Sequence, residues 1–439
     1  MASPINIGIV GLGNVGRGTL EILADNGARI ARKLGCPLVV KAICSRSIAG
    51  SVPTAADRFP QAIRTSNWRD VVENPEIHIV AELIGGTGAA NEIIEAAIAH
   101  GKSVVTANKE LMAQRGAEIW QTASAAGVGL AMEASVAGGI PILTALREGI
   151  SGDRIEKILA ILNGTCNFIL TEMERRGESL DVVLAEAQQL GYAEADPSAD
   201  IDGFDARAKL ALLAALALGV RIRPESIHTE GIRRIRDVDF LYAGRLNQTV
   251  RLIASAEDSA DGLFLSVRPA LLPRQTILAS VAGSYNAIWA KGAHGADTFH
   301  YGRGAGPTPT GVAVVSDLIS VARELTKKSP IHASPFAFTN LEERQPTPLD
   351  EETRGYYLRF RVRDRPGIIA ELARLLAAAD ISIDAVLQEP SFDRQDLPFV
   401  ITTEPAPRRA ITQALASMAG LEFLVEPPLA MPLEPGLGN

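Results

Sequence analysis

The chain has 439 residues, enough for two to four domains. Apolar residues make up 47% and charged residues 21%, the balance of an ordinary globular enzyme. A net charge of -8 excludes a general nucleic-acid binder, which needs a basic face.

Residues 1–10 carry no basic region ahead of a long apolar run, so no secretory signal is expected. The most apolar helical stretch, 210–220, is about half a bilayer span and reads as a buried helix. No membrane association is expected. Cys36, Cys44 and Cys166 are scattered without metal-ligand spacing, which suggests free thiols in a reducing cytoplasm.

Strand-like and helix-like runs alternate from the start. Residues 5–10 form a β-rich run, followed by a Gly-rich turn and a helix to about 33. Strands are expected at 39–44, 78–84, 103–106 and 128–131, with a helix at 91–100. That alternation implies an α/β, doubly wound parallel sheet. Between 134 and 303 the texture changes to a separate α+β domain, with helices at 180–190 and 206–218 and strands at 155–162, 263–267 and 288–291. Residues 304–328 read as a turn and a helix that packs back on the first domain (1–133).

Residues 329–351, with Pro330, Pro335, Pro346 and Pro348, read as a linker. Beyond it, 352–439 gives strands at 356–362, 382–387, 398–402 and 422–425 and helices at 366–378 and 408–418. The order is βαββαβ.

Gly11-Leu12-Gly13-Asn14-Val15-Gly16 follows the first strand and opens a helix. Gly11 permits a tight turn, Gly13 lets the backbone approach a pyrophosphate, and Gly16 allows close helix–strand packing. The helix start offers N–H groups and a positive dipole end to phosphate. A turn that serves packing alone is the competing reading. Strand two ends at Cys44-Ser45-Arg46, without the acid that usually holds the ribose 2′-hydroxyl of NAD. Ser45 and Arg46 suit a 2′-phosphate, so NADP is expected, with NAD possible. Arg46 as a plain solvated loop residue is the alternative.

Three further segments carry candidate chemistry. Lys109, in Thr106-Ala107-Asn108-Lys109-Glu110, sits at the carboxyl end of a strand, where parallel sheets bind ligands, although such a lysine is also a common surface residue. Asn163-Gly164-Thr165-Cys166-Asn167 joins a strand to a helix. There Thr165 and Asn167 are polar candidates, and Cys166 is either a nucleophile or a buried thiol. Downstream, Glu194, Asp200, Asp202, Asp205 and Lys209 fall within 16 residues. Asp202 is placed to cap a helix. Asp205 and Lys209, four apart, share a face, either as a solvated ion pair or as groups at the mouth of a buried apolar helix.

These stretches, with 133–142 and 304–317, stand in the order of homoserine dehydrogenases, which the chain resembles over roughly 5–325. The tail resembles an ACT domain, with Asp364-Arg365-Pro366-Gly367 at its first strand–helix turn. The resemblance implies a Rossmann-type sheet, an α+β catalytic and dimerisation domain, and an ACT domain. It also implies NAD(P)-dependent interconversion of L-homoserine and L-aspartate 4-semialdehyde, on the route to threonine, isoleucine and methionine.

By the same resemblance Lys209 is the proton-transfer lysine, and Lys109 a second active-site lysine near the cofactor. Glu194, Asp200 and Asp205 are the acids of the substrate site. Asn14, Val15, Ile84, Gly85 and Gly306 join Gly11, Gly13, Gly16 and Arg46 at the cofactor. One family acid falls on Ala199 here, so no role is assigned there. Glu133 with the backbone of Val136, Gly138 and Ile140 matches a segment that binds a monovalent cation, Na+ being expected. The ACT tail implies an amino-acid effector, threonine first, and a homo-oligomer, either dimer or tetramer.

The residue types suit alcohol oxidation. A lysine desolvated by apolar neighbours has a lowered pKa, as a base near neutral pH requires. Carboxylates can hold a substrate ammonium and fix its orientation. An acylating semialdehyde dehydrogenase, which needs a catalytic cysteine with a histidine partner, and an inactive amino-acid sensor remain rival readings. The six histidines form no metal-ligand pattern, which disfavours a zinc mechanism.

Overall fold

A computed structural model of the chain describes residues 3–48, 55–327, 334–390 and 392–434. The chain divides into two compact units, 1–156 with 208–225 and 286–344, and 157–207 with 226–285 and 345–439.

In the first unit, β1 (Ile5–Val10), β2 (Leu38–Cys44), β3 (Ile63–Thr65), β4 (Ile79–Glu82), β5 (Ser103–Thr106) and β6 (Leu130–Ala131) form one sheet in the order β3-β2-β1-β4-β5-β6. Every pairing is parallel. The order turns back between β1 and β4, the switch point at which such sheets bind ligands beyond their carboxyl ends. Helices α1 (Asn14–Leu34), α2 (Ala89–Ala99) and α3 (Lys109–Ala125) follow β1, β4 and β5.

The helix Pro307–Thr326 belongs to this core as well. Ala313, Val314 and Leu318 are buried with Leu20 and Leu23 of α1. The approach is close because glycines meet there. A Cβ on Gly18 would fall 2.1 Å from the Pro307 carbonyl oxygen, and one on Gly311 would fall 2.8 Å from the Gly18 backbone.

The sequence pattern does not reveal β3, a three-residue edge strand. It also runs the third strand on to Ile84, whereas β4 stops at Glu82. The reason is the Glu82 side chain, which takes the N–H groups of Ile84 and Gly85 at 2.8 and 3.2 Å and turns the chain.

In the second unit a twelve-pair antiparallel hairpin, Gln248–Ser259 with Gly262–Pro273, runs beside Ile155–Ile161. The sequence pattern marks only 263–267 of it. Most of both strands is buried on both faces, so the two-residue alternation that marks a strand is missing.

The C-terminal segment pairs Thr353–Val362 with Leu397–Thr403, and Leu397–Thr403 with Ile383–Gln388. Helices Ile368–Ala378 and Arg408–Met418 cover one face, burying Leu358, Phe360, Leu372, Phe399 and Met418. The expected last strand at 422–425 supplies only a single bridge, Leu424 to Val362. The strand forms instead at Leu429–Leu433, beyond Pro427 and Pro428. There it pairs antiparallel with Thr353–Val362 and touches the long hairpin at Leu271. The βαββαβ order stands with its final strand displaced.

Candidate functional site

At the carboxyl end of β1, Gly11 takes φ +115, and a Cβ there would lie 2.6 Å from the Leu83 backbone. A Cβ on Gly16 would meet the Gly11 carbonyl oxygen at 2.0 Å. Gly13 faces open space in extended backbone and caps α1, whose first turn holds no acidic residue. Asn14 is exposed, Val15 half-buried, and the start of α1 is free to receive an anion. The residues present therefore fit a dinucleotide. Arg46 is exposed in the turn after β2, and the Ser45 hydroxyl meets that of Ser47 at 3.1 Å.

Glu82, fully buried, organises the neighbouring strand ends. Besides the two N–H groups of the 84–85 turn, its carboxylate accepts from Thr106 Oγ1 at 2.7 Å. Thr106 Oγ1 in turn accepts from the Asn108 N–H, and the Asn108 amide donates to the Gly86 carbonyl at 2.6 Å. Asn108 also caps α3 through the Leu111 N–H. The network fixes the turn of Ile84 and Gly85, both exposed, and ties it through Gly86 to Asn108, which precedes Lys109, the half-buried first residue of α3. Sequence reasoning misses Glu82, whose only signal is an acid ending an otherwise apolar strand.

Gly306, at φ +122, caps the helix Pro307–Thr326. In the 133–140 loop the Glu133 carboxylate accepts from Leu143 N, Thr144 N and Thr144 Oγ1 at 2.9, 2.8 and 2.6 Å. Its own N–H donates to Asp317 Oδ2 at 2.8 Å. Burial, with Glu133 beside it, pushes the Asp317 carboxyl up to about 8. Ala137 and Gly138 both take left-handed backbone, at φ +53 and +50, which turns the loop sharply between Val136 and Ile140. All of 133–138 and Ile140 are buried. Oxygen-only donors on a buried turn fit a hard monovalent cation. Among the described residues no group of His, Cys, Asp and Glu forms a transition-metal site.

In the second unit, Asn163 lies two residues past the strand Ile155–Ile161 and caps the helix Gly164–Arg176, accepting the Cys166 N–H at 2.8 Å. Its amide nitrogen donates to Asp200 Oδ1 at 2.7 Å and to Asp205 Oδ2 at 2.9 Å. Two carboxylates that lie five residues apart in sequence are thus joined by one buried side chain. Cys166 is fully buried, and its thiol donates to the Asp200 carbonyl at 3.2 Å, the setting of a structural thiol. Thr165 Oγ1 donates to the Tyr192 carbonyl, and the Asn167 amide to the carbonyls of Val281, Gly283 and Tyr285, so both hold loops. Asp202 is taken by Arg233 rather than by a helix end. Glu194 is exposed.

Asp205 and Lys209 lie one turn apart on the helix Phe204–Leu218. Both are half-buried, and Leu210 to Leu213 beyond them are 0–3% exposed. In the C-terminal segment a cavity of 460 Å³ opens at the Asp364–Gly367 turn, lined by Val362, Arg365, Ile368, Gln388 and Phe399.

A 3-2-1-4-5-6 parallel sheet, a Gly-rich turn at its switch point and a lysine at the adjoining strand end define a dinucleotide-dependent oxidoreductase. Family comparisons carry this further. Residues 11–133 match the homoserine dehydrogenase NAD-binding domain, 141–319 the homoserine dehydrogenase domain and 356–420 the ACT domain. The homoserine dehydrogenase of Neisseria gonorrhoeae is 40% identical over 98% of both chains. A crystal structure of a homoserine dehydrogenase from Thiobacillus denitrificans superposes with a TM-score of 0.91 at 42% identity, covering 99% of each chain. A hyperthermophilic archaeal homoserine dehydrogenase in complex with NADPH aligns with 75% of this chain and all of its own, at TM-score 0.63 and 30% identity. The chain belongs to the homoserine dehydrogenase family. It is an NAD(P)-dependent oxidoreductase of amino-acid biosynthesis, interconverting L-homoserine and L-aspartate 4-semialdehyde, with a C-terminal ACT domain.

Proposed function

We propose that Lys209 is the acid–base group of the reaction and that Asp200, Asp205 and Glu194 bind the substrate. The observation that carries this is the Asn163 amide, which holds Asp200 and Asp205 side by side, with Lys209 on the next turn of Asp205's helix. Two adjacent carboxylates attract an α-ammonium group and fix the carbinol carbon. Lys209 accepts the hydroxyl proton during oxidation and returns it to the developing alkoxide in reduction. Lys109 lies near the cofactor and orients the reacting oxygen. The nicotinamide, when bound, takes or gives the hydride.

Gly11, Gly13, Asn14, Val15, Gly16, Ile84, Gly85 and Gly306 would hold the dinucleotide, and Arg46 its 2′-phosphate, which favours NADP over NAD. Glu133, with the backbone carbonyls of Val136, Gly138 and Ile140, would hold Na+. The Glu133 carboxylate also holds the 143–144 turn. The domains run 1–133 with 304–328, then 134–303, a linker at 329–351, and 352–439. Threonine is the proposed effector, at the cavity of the Asp364–Gly367 turn, where the first strand of the ACT domain meets its first helix. The enzyme is a homo-oligomer, a dimer or tetramer. Three buried free thiols support a reducing, cytoplasmic setting.

The test is oxidation of L-homoserine with NADP and with NAD, in Na+ and in a bulky organic cation, with and without threonine. Turnover that favours NADP, needs the small cation and falls with millimolar threonine is expected. Turnover with neither cofactor in a folded, cation-supplied sample would sink the site assignment.

A further inference from the structure

We infer that Asn163 is a positioning residue for substrate binding, a clamp whose single amide nitrogen holds the Asp200 and Asp205 carboxylates together. The inference rests on the reading of those two acids as the substrate's ammonium site.

Like-charged carboxylates brought side by side repel, and something must offset that. A primary amide can join them, because its two N–H donors serve one acid each and add no charge. Asn163 Nδ2 does this at 2.7 and 2.9 Å. The side chain is only 5% exposed. Its orientation is fixed from the other end, since Oδ1 accepts the Cys166 N–H that opens the following helix. The amide therefore has no second rotamer that keeps both the cap and the clamp. The Cys166 thiol pins the Asp200 backbone at 3.2 Å, which leaves the acid little room to swing away.

The capping and clamping roles separate chemically. Asn163→Asp keeps a side-chain oxygen for the cap, where Asp and Asn are equivalent. It replaces the donor with a carboxylate facing two others, with Lys209 one turn beyond Asp205 on its helix. One member of such a cluster binds a proton far more readily than usual, and once protonated it can donate again. The variant is expected to raise KM for L-homoserine about 30-fold at pH 9, with a smaller fall in kcat. Its KM should approach the parent's as pH drops towards 6, while its melting temperature stays close. Asn163→Ser, which caps the helix but spans neither acid, is expected to raise KM about tenfold with no such pH recovery. It also serves should Asn163→Asp fail to fold.

A folded Asn163→Asp with KM within threefold of the parent at pH 9, or a raised KM with no pH recovery, would overturn the clamp. Asp200→Asn and Asp205→Asn, measured alongside, separate the two levels of the argument. If they raise KM and Asn163→Asp does not, the clamp alone is wrong. If they leave KM unchanged, the substrate-site reading is wrong and the clamp's role goes with it.

Discussion

The hydroxyl of Thr106 donates to the buried carboxylate of Glu82 at 2.7 Å, tying the carboxyl ends of two adjacent parallel strands. Because the same carboxylate holds the N–H groups of Ile84 and Gly85, it shapes the turn proposed to touch the cofactor. Hydrogen bonds to a charged acceptor exceed neutral ones by about 1 kcal/mol. Glu82→Gln is therefore expected to weaken NADP binding about tenfold, read by fluorescence titration, while KM for homoserine at saturating cofactor changes little.

Gly18 and Gly311 let α1 and the helix Pro307–Thr326 meet backbone to backbone. Overpacking a closed core costs about 1–3 kcal/mol. Gly18→Ala should lower the melting temperature by several degrees, and Gly18→Val should abolish soluble folding. An unchanged melting curve for both would show that the helices can part freely.

The buried pair Arg359–Asp239 joins the strand Thr353–Val362 to the helix Asp237–Arg245, with Tyr357 donating to the same carboxylate at 2.9 Å. Arg359 is 2% exposed and Asp239 fully buried. Removing one partner strands a charge, at about 3–5 kcal/mol. Arg359→Leu is expected to destabilise by that order in urea unfolding. It should also reduce any response to the effector, because the tie between the ACT strand and the rest of its unit is lost.

Glu426 lies at the same junction. Burial alone would raise its carboxyl, but Arg236, Arg359 and Arg361 hold it below its ordinary 4.5. A depressed carboxylate stabilises the fold fully above the unfolded value and loses that contribution as pH falls through the folded one. Acid unfolding should therefore steepen below about pH 4.5, and Glu426→Gln should flatten it, as followed by circular dichroism from pH 6 to 2.

Much of the fold and part of the site are legible in the sequence. The Gly-rich turn and the strand–helix alternation fix the parallel sheet, because both follow from local backbone demands. The spacing of Asp205 and Lys209 puts them one turn apart on any helix. What escapes depends on distant residues. Glu82 falls inside the expected strand 78–84 and draws no reading of its own until its carboxylate is seen to stop the strand. Asn163 reads only as part of a strand–helix junction, and only folding brings Asp200 and Asp205, 37 and 42 positions away, to its amide. The last strand is misplaced because 422–425 has strand-like residues, whereas the free edge of the ACT sheet is filled by Leu429–Leu433, beyond two prolines.

The most direct test is the kcat for homoserine oxidation by Lys209→Ala, with cofactor affinity and melting temperature measured on the same sample. Positioned acid–base groups contribute about 10²–10⁴-fold. A fall of about a thousandfold or more, with NADP binding and stability retained, is the expected result. A kcat within tenfold of the parent would show that the proton goes elsewhere and would contradict the assignment of Lys209.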